Sequence, residues 1–492
     1  MRLRPFLSAL SVTALAAALL VAVGGEPTRA AAAAPAGRFS VDWTTCPQAP
    51  DTQCGTLHVP VDWSEPDGPR IALNVARRPA DDPGRRVGTL FFNAGGPGDG
   101  AAQYVTGAAQ VFSATLRARF DIVGLDPRAT GGSANVRCPV PPLTPTTTLF
   151  PRSEAQFQEL RRHNRAVGLS CLRETGALMR HTDTVSVARD HEALRIALGV
   201  GQVNWLGLSY GTQVAANYAQ LFPRRTRAMA LDAALEHSQP EVLQVADEMV
   251  AAETAFNRFV AWCATAPTCA LRGQDVGGVY DRLVADADRQ PIPVAGSMRG
   301  VTGEDIRMGT IRLLVLKEPS IFGPEVSWAG LSRALARTIA GDAANFALPP
   351  LGAPQDGLSS VLAIACMEYV PQIHTYAQMR QRIELGRRLA PHLQGASETW
   401  RVSHCMNWPV PVANPPRLLD VRGVPTLIAH AVYDPSVPYK WAHSLAAQIR
   451  GSEVLTRTGD GHTSYHTSPC ARAALDGYLV LPRPPADLVC DE

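Results

Sequence analysis

A serine set between two glycines, an aspartate and a histidine that follow it in that order, and a glycine-rich loop ahead of all three are the residues of this chain whose types could do chemistry. Ser209 stands in Gly207-Leu208-Ser209-Tyr210-Gly211, Asp434 in Tyr433-Asp434-Pro435, and His462 in Gly459-Asp460-Gly461-His462. A serine hydroxyl becomes a useful nucleophile only when a base takes its proton and an acid holds that base in place. In that assignment His462 accepts the Ser209 proton and later passes it to the leaving group, while Asp434 orients the imidazole and stabilises its cation. No metal or other cofactor is required. Negative charge developing on an attacked carbonyl oxygen must meet preorganised donors. The Tyr210 N–H, next after the serine, is one. The second is expected from Asn93-Ala94-Gly95-Gly96-Pro97-Gly98, where Pro97 has no N–H and Gly96 is the natural choice.

The pentapeptide is short enough to arise by chance in a chain of 492 residues, so its setting must carry the argument. Ser209 read in isolation is a helix-capping serine, and Gly95 to Gly98 a tight turn without a donor role. Asp232 also ends an apolar run and could serve the histidine in place of Asp434, whereas Asp126 in Asp126-Pro127-Arg128 reads as a turn residue. His466, four residues past His462, could share a helical face with it as a metal ligand, but no H-E-x-x-H pattern accompanies the pair. His430 falls inside an apparent strand and reads as a core histidine.

The elements that must position these groups are legible as runs of apolar residues. Thr56 to Val59 and Ile71 to Val75 read as an antiparallel pair. Gly88 to Phe92 and Phe120 to Leu125 are continuous apolar runs, the pattern of strands buried on both faces. A helix from about Val185 to Leu198 precedes the run Val203 to Leu208, and apolar positions Val214, Ala215, Tyr218 and Leu221 continue it as a second helix. Arg227 to Asp232, Pro425 to Ala431 and Glu453 to Thr456 complete the series. Strand alternating with helix predicts an α/β chain with a mostly parallel central sheet. Ser209, Asp434 and His462 then all lie in loops at the same strand ends. From 236 to 415 the pattern is instead largely helical, with apolar positions such as Phe256, Phe259, Trp262, Leu331, Leu335 and Ile339, and it ends in the Pro-rich segment Pro409 to Pro416. We therefore expect a core from residues 37–235 and 416–492, interrupted by a helical cap over 236–415.

Composition narrows the setting. Arg2 and Arg4, the apolar stretch Leu7 to Val23 and the small-residue exit at Thr28-Arg29-Ala30 read as a signal peptide and processed segment over residues 1–36, with no stable membrane anchor after cleavage. Ten cysteines follow it, an even number with no C-x-x-C pair, which suits disulfides in an exported protein. Sequence leaves their connectivity open. Pairing neighbours along the chain gives Cys46-Cys54, Cys138-Cys171, Cys263-Cys269, Cys366-Cys405 and Cys470-Cys490. Lys317 and Lys440 are the sole lysines, the arginines are scattered among acids, and nothing suggests nucleic-acid binding. Oligomeric state cannot be read.

Taken together, Asn93 to Gly98, Gly124-Leu125-Asp126-Pro127-Arg128-Ala129-Thr130-Gly131, Gly207 to Gly211, Asp434, and Gly461-His462 followed by Cys470 resemble the secreted tripeptidyl-aminopeptidase-like α/β-hydrolases of actinobacteria, relatives of prolyl aminopeptidases. The likeness spans almost the whole mature chain and includes the placement of Cys366, Cys405, Cys470 and Cys490. It implies an α/β-hydrolase fold with an inserted helical cap, and an exopeptidase releasing short peptides from free N-termini through an acyl-enzyme. It implies Ser209, Asp434 and His462 as triad and Gly96 with Tyr210 as oxyanion donors. The family usually has proline where Ala94 stands, more glycine around Asp99, and a Gly-Thr-Gly-Arg-Ser-like run at Ala129-Thr130-Gly131-Gly132-Ser133, so substrate preference need not be inherited. Glu368, in Ala365-Cys366-Met367-Glu368-Tyr369, resembles an acidic position near a cap cysteine that would take the substrate's ammonium group; a surface or ion-paired glutamate is the competing reading. The same site would also serve an esterase or processing hydrolase acting on a secreted metabolite or lipid ester. A non-catalytic binding protein on this fold is the remaining class.

Overall fold

Among the described residues, ten strands form one sheet: β1 (Val41–Cys46), β2 (Ala49–Pro60), β3 (Arg70–Arg78), β4 (Gly88–Asn93), β5 (Phe120–Leu125), β6 (Val203–Leu208), β7 (Thr226–Asp232), β8 (Thr426–Tyr433), β9 (Glu453–Asp460) and β10 (Val489–Cys490). The computed structural model describes residues 39–492, so the leader expected over 1–36 lies outside the described residues. The strand order is β1-β2-β3-β5-β4-β6-β7-β8-β9-β10. β1 to β3 are antiparallel neighbours and β3 meets β5 antiparallel. Every pairing from β5 onward is parallel. The apolar runs account for this: every residue of β6 is buried, and β4 and β7 are nearly so, as strands flanked by helices on both faces must be. β2 and β3 pair with Leu57 opposite Leu73, both fully buried. β1 and β10 are additions that no apolar pattern announced. Each is an edge strand beside a disulfide, Cys46–Cys54 across the first hairpin and Cys470–Cys490 at the tail.

Between β7 and β8 the chain adds no strand to this sheet. It builds the helices Glu241–Thr265, Val276–Arg289, Gly303–Leu314, Trp328–Ile339, Asp356–Glu368 and Tyr376–Leu389; all but Asp356–Glu368 share one core that buries Phe256, Phe259, Trp328, Leu331 and Leu335. Earlier residues share that core. Leu149, Phe150, Phe157 and Leu160 join it, with the last two carried by the Glu154–Thr175 helix, and Phe150 stacks on Trp400 with ring centroids 4.5 Å apart. The helical layer therefore draws on chain from before residue 236 as well. Among the described residues no helix is long and apolar enough to cross a membrane.

Two features fasten the loops around the strand ends. Arg128 and Asp190, both without exposed side-chain surface, form a two-pronged ion pair (Nε to Oδ2 2.7 Å, Nη2 to Oδ1 2.6 Å), and Arg128 also donates to the Val61 and His181 carbonyls. Asp126 accepts from the N–H groups of Ala102 and Gly132, which fixes the turn after β5. The remaining disulfides join Cys138 to Cys171, Cys263 to Cys269 and Cys366 to Cys405.

Candidate active site

β6 runs directly into the Tyr210–Leu221 helix, and Ser209 alone makes the turn between them at φ 54° and ψ −127°. Such a conformation is costly for a residue with a Cβ and persists only where packing enforces it. Packing here leaves no slack. A Cβ on Gly207 would lie 2.6 Å from the Gly211 carbonyl oxygen, and one on Gly211 would strike the Asn93 carbonyl oxygen. The two glycines of the pentapeptide are thus required by close backbone approach. Ser209 donates its own N–H to the Asp232 carbonyl, 2.9 Å away at the end of β7, and its side chain stays partly exposed.

Asp434 follows β8 and is fully buried. Its Oδ1 accepts the N–H groups of Ser436 (2.8 Å) and Val437 (2.9 Å), and its Oδ2 lies 2.8 Å from His462 Nδ1. Burial favours the neutral carboxyl, but the His462 ring and these donors outweigh it and hold Asp434 below its ordinary value. The same pair acts in reverse on His462. Burial opposes the imidazolium, yet the Asp434 carboxylate and hydrogen bond raise the ring to about 9, with Glu398 and Asp232 adding to the pull. His430 is a core residue: Nδ1 accepts the Ala234 N–H, and Nε2 sits 2.9 Å from the Val437 carbonyl. His466 is partly buried, and among the described residues no group of three or more His, Cys, Asp or Glu side chains could hold a metal.

Asp232, the competing acid, is occupied elsewhere. Its Oδ2 accepts the N–H groups of Ser464 and Tyr465, each at 2.7 Å. One residue therefore holds both the serine turn, through its carbonyl, and the loop carrying His462, through its carboxylate. The helical layer grips that loop as well. His462 donates its N–H to the Val315 carbonyl at 2.7 Å, and Asp460 pairs with Arg258 and with Lys317. Neither cation carries a sequence signal that would have marked it.

The glycine-rich loop lies against the serine turn. A Cβ on Gly95 would stand 2.9 Å from the Ser209 Cβ and 3.1 Å from the Tyr210 nitrogen. Tyr210 is the first residue of its helix, so its N–H has no intrahelical acceptor. Gly96 is exposed at φ 101° and precedes the cis peptide to Pro97. Acidic groups crowd this mouth. Burial of its carboxyl and then the nearby Glu398 carboxylate raise Asp99, and Glu398, partly exposed, accepts a hydrogen bond from Ser436 at 3.3 Å. Glu248, buried behind Thr399, is raised to about 8 by its burial.

Glu368 does not face this mouth, and the expected amine-binding role is corrected. It is 1% exposed. Its Oε1 accepts from the Thr184 N–H and hydroxyl, and its Oε2 from Gln213 and Asn414 at 2.7 Å each. With both oxygens occupied and solvent excluded, the carboxyl joins the serine-bearing helix to the helical layer and offers nothing to a ligand. Burial raises it to about 7.

Residues 391–490 match a family model described as TAP-like protein, and residues 88–291 one described as alpha/beta hydrolase fold. The chain is 31% identical to "Serine protease Hip1" of Mycobacterium tuberculosis, over 95% of this chain and 94% of that one. It is 29% identical to "Tripeptidyl aminopeptidase" of Streptomyces lividans, over 94% and 88%. It is 30% identical to "Carboxylesterase B" of Mycobacterium tuberculosis, over 89% and 86%.

Proposed function

The chain belongs to the tripeptidyl-aminopeptidase-like α/β-hydrolases and is a serine hydrolase, and from that membership we propose that it is a secreted exopeptidase acting through Ser209, His462 and Asp434. The observation that carries the reading is the 2.8 Å contact between His462 Nδ1 and Asp434 Oδ2, formed in loops at the strand ends where Ser209 makes its left-handed turn. His462 Nε2 takes the Ser209 proton as Oγ attacks the scissile carbonyl, and Asp434 balances the imidazolium. The carbonyl oxygen gathers charge against the N–H groups of Tyr210 and Gly96. His462 then protonates the leaving amine, the C–N bond breaks, and the peptide's N-terminal portion remains as an ester on Ser209. Water, deprotonated by the same imidazole, releases it.

Free-amine recognition falls to Asp99 and Glu398 once Glu368 is set aside. Both lie within electrostatic reach of each other at the mouth, and Glu398 acts on His462 too, so an ammonium group held between them would sit near the reacting carbon. Five disulfides support export. The relative named carboxylesterase B supports a second reading, hydrolysis of an ester by the same three residues. Purified protein should be labelled by a fluorophosphonate, with no labelling of Ser209→Ala; an unlabelled wild type would remove the proposal. A panel of tripeptidyl, aminoacyl and acyl-ester chromogenic substrates separates the readings. Faster turnover of tripeptidyl amides supports the exopeptidase, and ester-only turnover replaces it.

A further inference from the structure

The helical layer holds a second cleft, of about 520 Å³, bounded by the 146–156 segment, the Val276–Arg289 and Gly303–Leu314 helices and the Tyr376–Leu389 helix. None of the residues around it belongs to the serine turn, the glycine-rich loop or the loops of Asp434 and His462. Its size is that of a small-molecule site. Its charge is out of balance. Arg152, Arg299, Arg307, Arg380 and Arg387 face it, against Asp288, Glu304 and Glu384.

The acids do not offset the cations. Glu304 is already held by the Thr148 hydroxyl (2.6 Å) and the Leu149 N–H (2.8 Å), and Glu384 pairs with Arg388, outside the cleft. Asp288 alone serves two arginines, Arg152 at 2.7 Å and Arg307 at 3.5 Å. Arg307 is the telling residue. It is 3% exposed, its Nε has no acceptor, and beyond that long contact with Asp288 it has only the face of Phe150 beneath it, 5.5 Å from the ring centre. Arg299 is held by Asp305 (2.8 Å) and the Thr147 carbonyl (2.7 Å), but its Nε also lacks an acceptor. A guanidinium removed from water with unfilled donors is expensive to maintain. An oxyanion with two or more oxygens would fill those donors in pairs. Exposed Thr146 adds a hydroxyl donor at the rim.

We propose that this cleft is a binding site, separate from the catalytic one, for a small, multiply charged oxyanion: a phosphate ester or a polycarboxylate. Exposed Arg380 and Arg387 capture the anion electrostatically, and Arg307 with Arg299 fix it at depth. Titration calorimetry of the Ser209→Ala protein with pyrophosphate and with citrate, at constant ionic strength set by chloride, tests this without any dependence on turnover. We expect saturable binding of at least one of the two, and which one binds separates the phosphate from the carboxylate source. Arg380→Gln with Arg387→Gln, both at the surface, should weaken it about tenfold or more, and Arg307→Gln should abolish it in protein whose circular dichroism is unchanged. Absence of saturable heat with either anion, or equal affinity in the double variant, overturns the proposal.

Discussion

The value of His462 decides how the enzyme should respond to pH. In the proposed mechanism its imidazole must be neutral to accept the Ser209 proton, and Asp434 raises it to about 9. Below that value most molecules hold the base in the wrong state, so kcat/KM should climb with pH through a half-maximum near 9 and level off above it. Asp434→Asn removes the cause of the shift and the hold on the ring tautomer. Its ascending limb should move to lower pH, while kcat falls by about 10⁴-fold. A limb left at the same pH in that variant would mean that another group controls it. The acids at the mouth make a second prediction at this scale. Glu398→Gln and Asp99→Asn should each raise KM for peptides with a free N-terminus by roughly tenfold or more, the cost of one charge-assisted hydrogen bond, and leave acyl-ester hydrolysis nearly unchanged. Steady-state kinetics on N-acetylated and free tripeptidyl substrates would check this, and equal losses on both would return the two acids to a general structural role.

At the scale of elements, the loop after β9 carries His462, the proposed base, but is held by others: Asp232 from β7, Val315 from the end of a helix, and Arg258 and Lys317 through Asp460. Asp232→Ala would leave two buried N–H groups without an acceptor. It should lower stability by about 2–4 kcal/mol in urea unfolding and reduce kcat more than it changes KM, because the ring is displaced rather than the pocket. Undiminished kcat would show that the cap contacts suffice. These anchors also mark the limit of what sequence could supply. β4, β5, β6, β7 and β8 were readable because strands buried on both faces must be apolar throughout, Ser209 and Asp434 because they closely follow such runs, and His462 because it stands in a glycine-flanked turn after the last strand. Arg258 and Asp460 meet across 202 residues of chain, as charges in polar helical and turn sequence that looks like any solvated face. β1 alternates between exposed and half-buried residues and owes its place to the hairpin. Glu368 was misread because its neighbour Cys366 is visible in the sequence while its donors, Gln213 and Asn414, lie far away on other elements.

For the whole molecule the question is what keeps the helical layer in register with the sheet while substrate enters between them, and the disulfides separate two answers. Cys366 ends the Asp356–Glu368 helix, whose Val361 side chain lies 2.9 Å from where a Gly98 Cβ would stand. Cys405 closes the turn that begins at Glu398. This bond therefore links the element pressed on the glycine-rich loop to the one carrying a mouth carboxylate, across a sequence separation of 39. Cys470–Cys490 closes a separation of 20 and secures the C-terminal tail behind β9. Chain entropy makes the two similar in stability, about 4 and about 3 kcal/mol respectively. Their effects on catalysis should nevertheless part. Replacing Cys366 and Cys405 together by alanine should lower the unfolding midpoint and raise KM several-fold, because Glu398 and the glycine-rich loop lose their common reference. Replacing Cys470 and Cys490 should lower the midpoint by a comparable amount and leave KM alone. If both pairs raise KM equally, the layer is held by its packed core of Phe150, Trp400 and their neighbours, and the disulfides act on stability only.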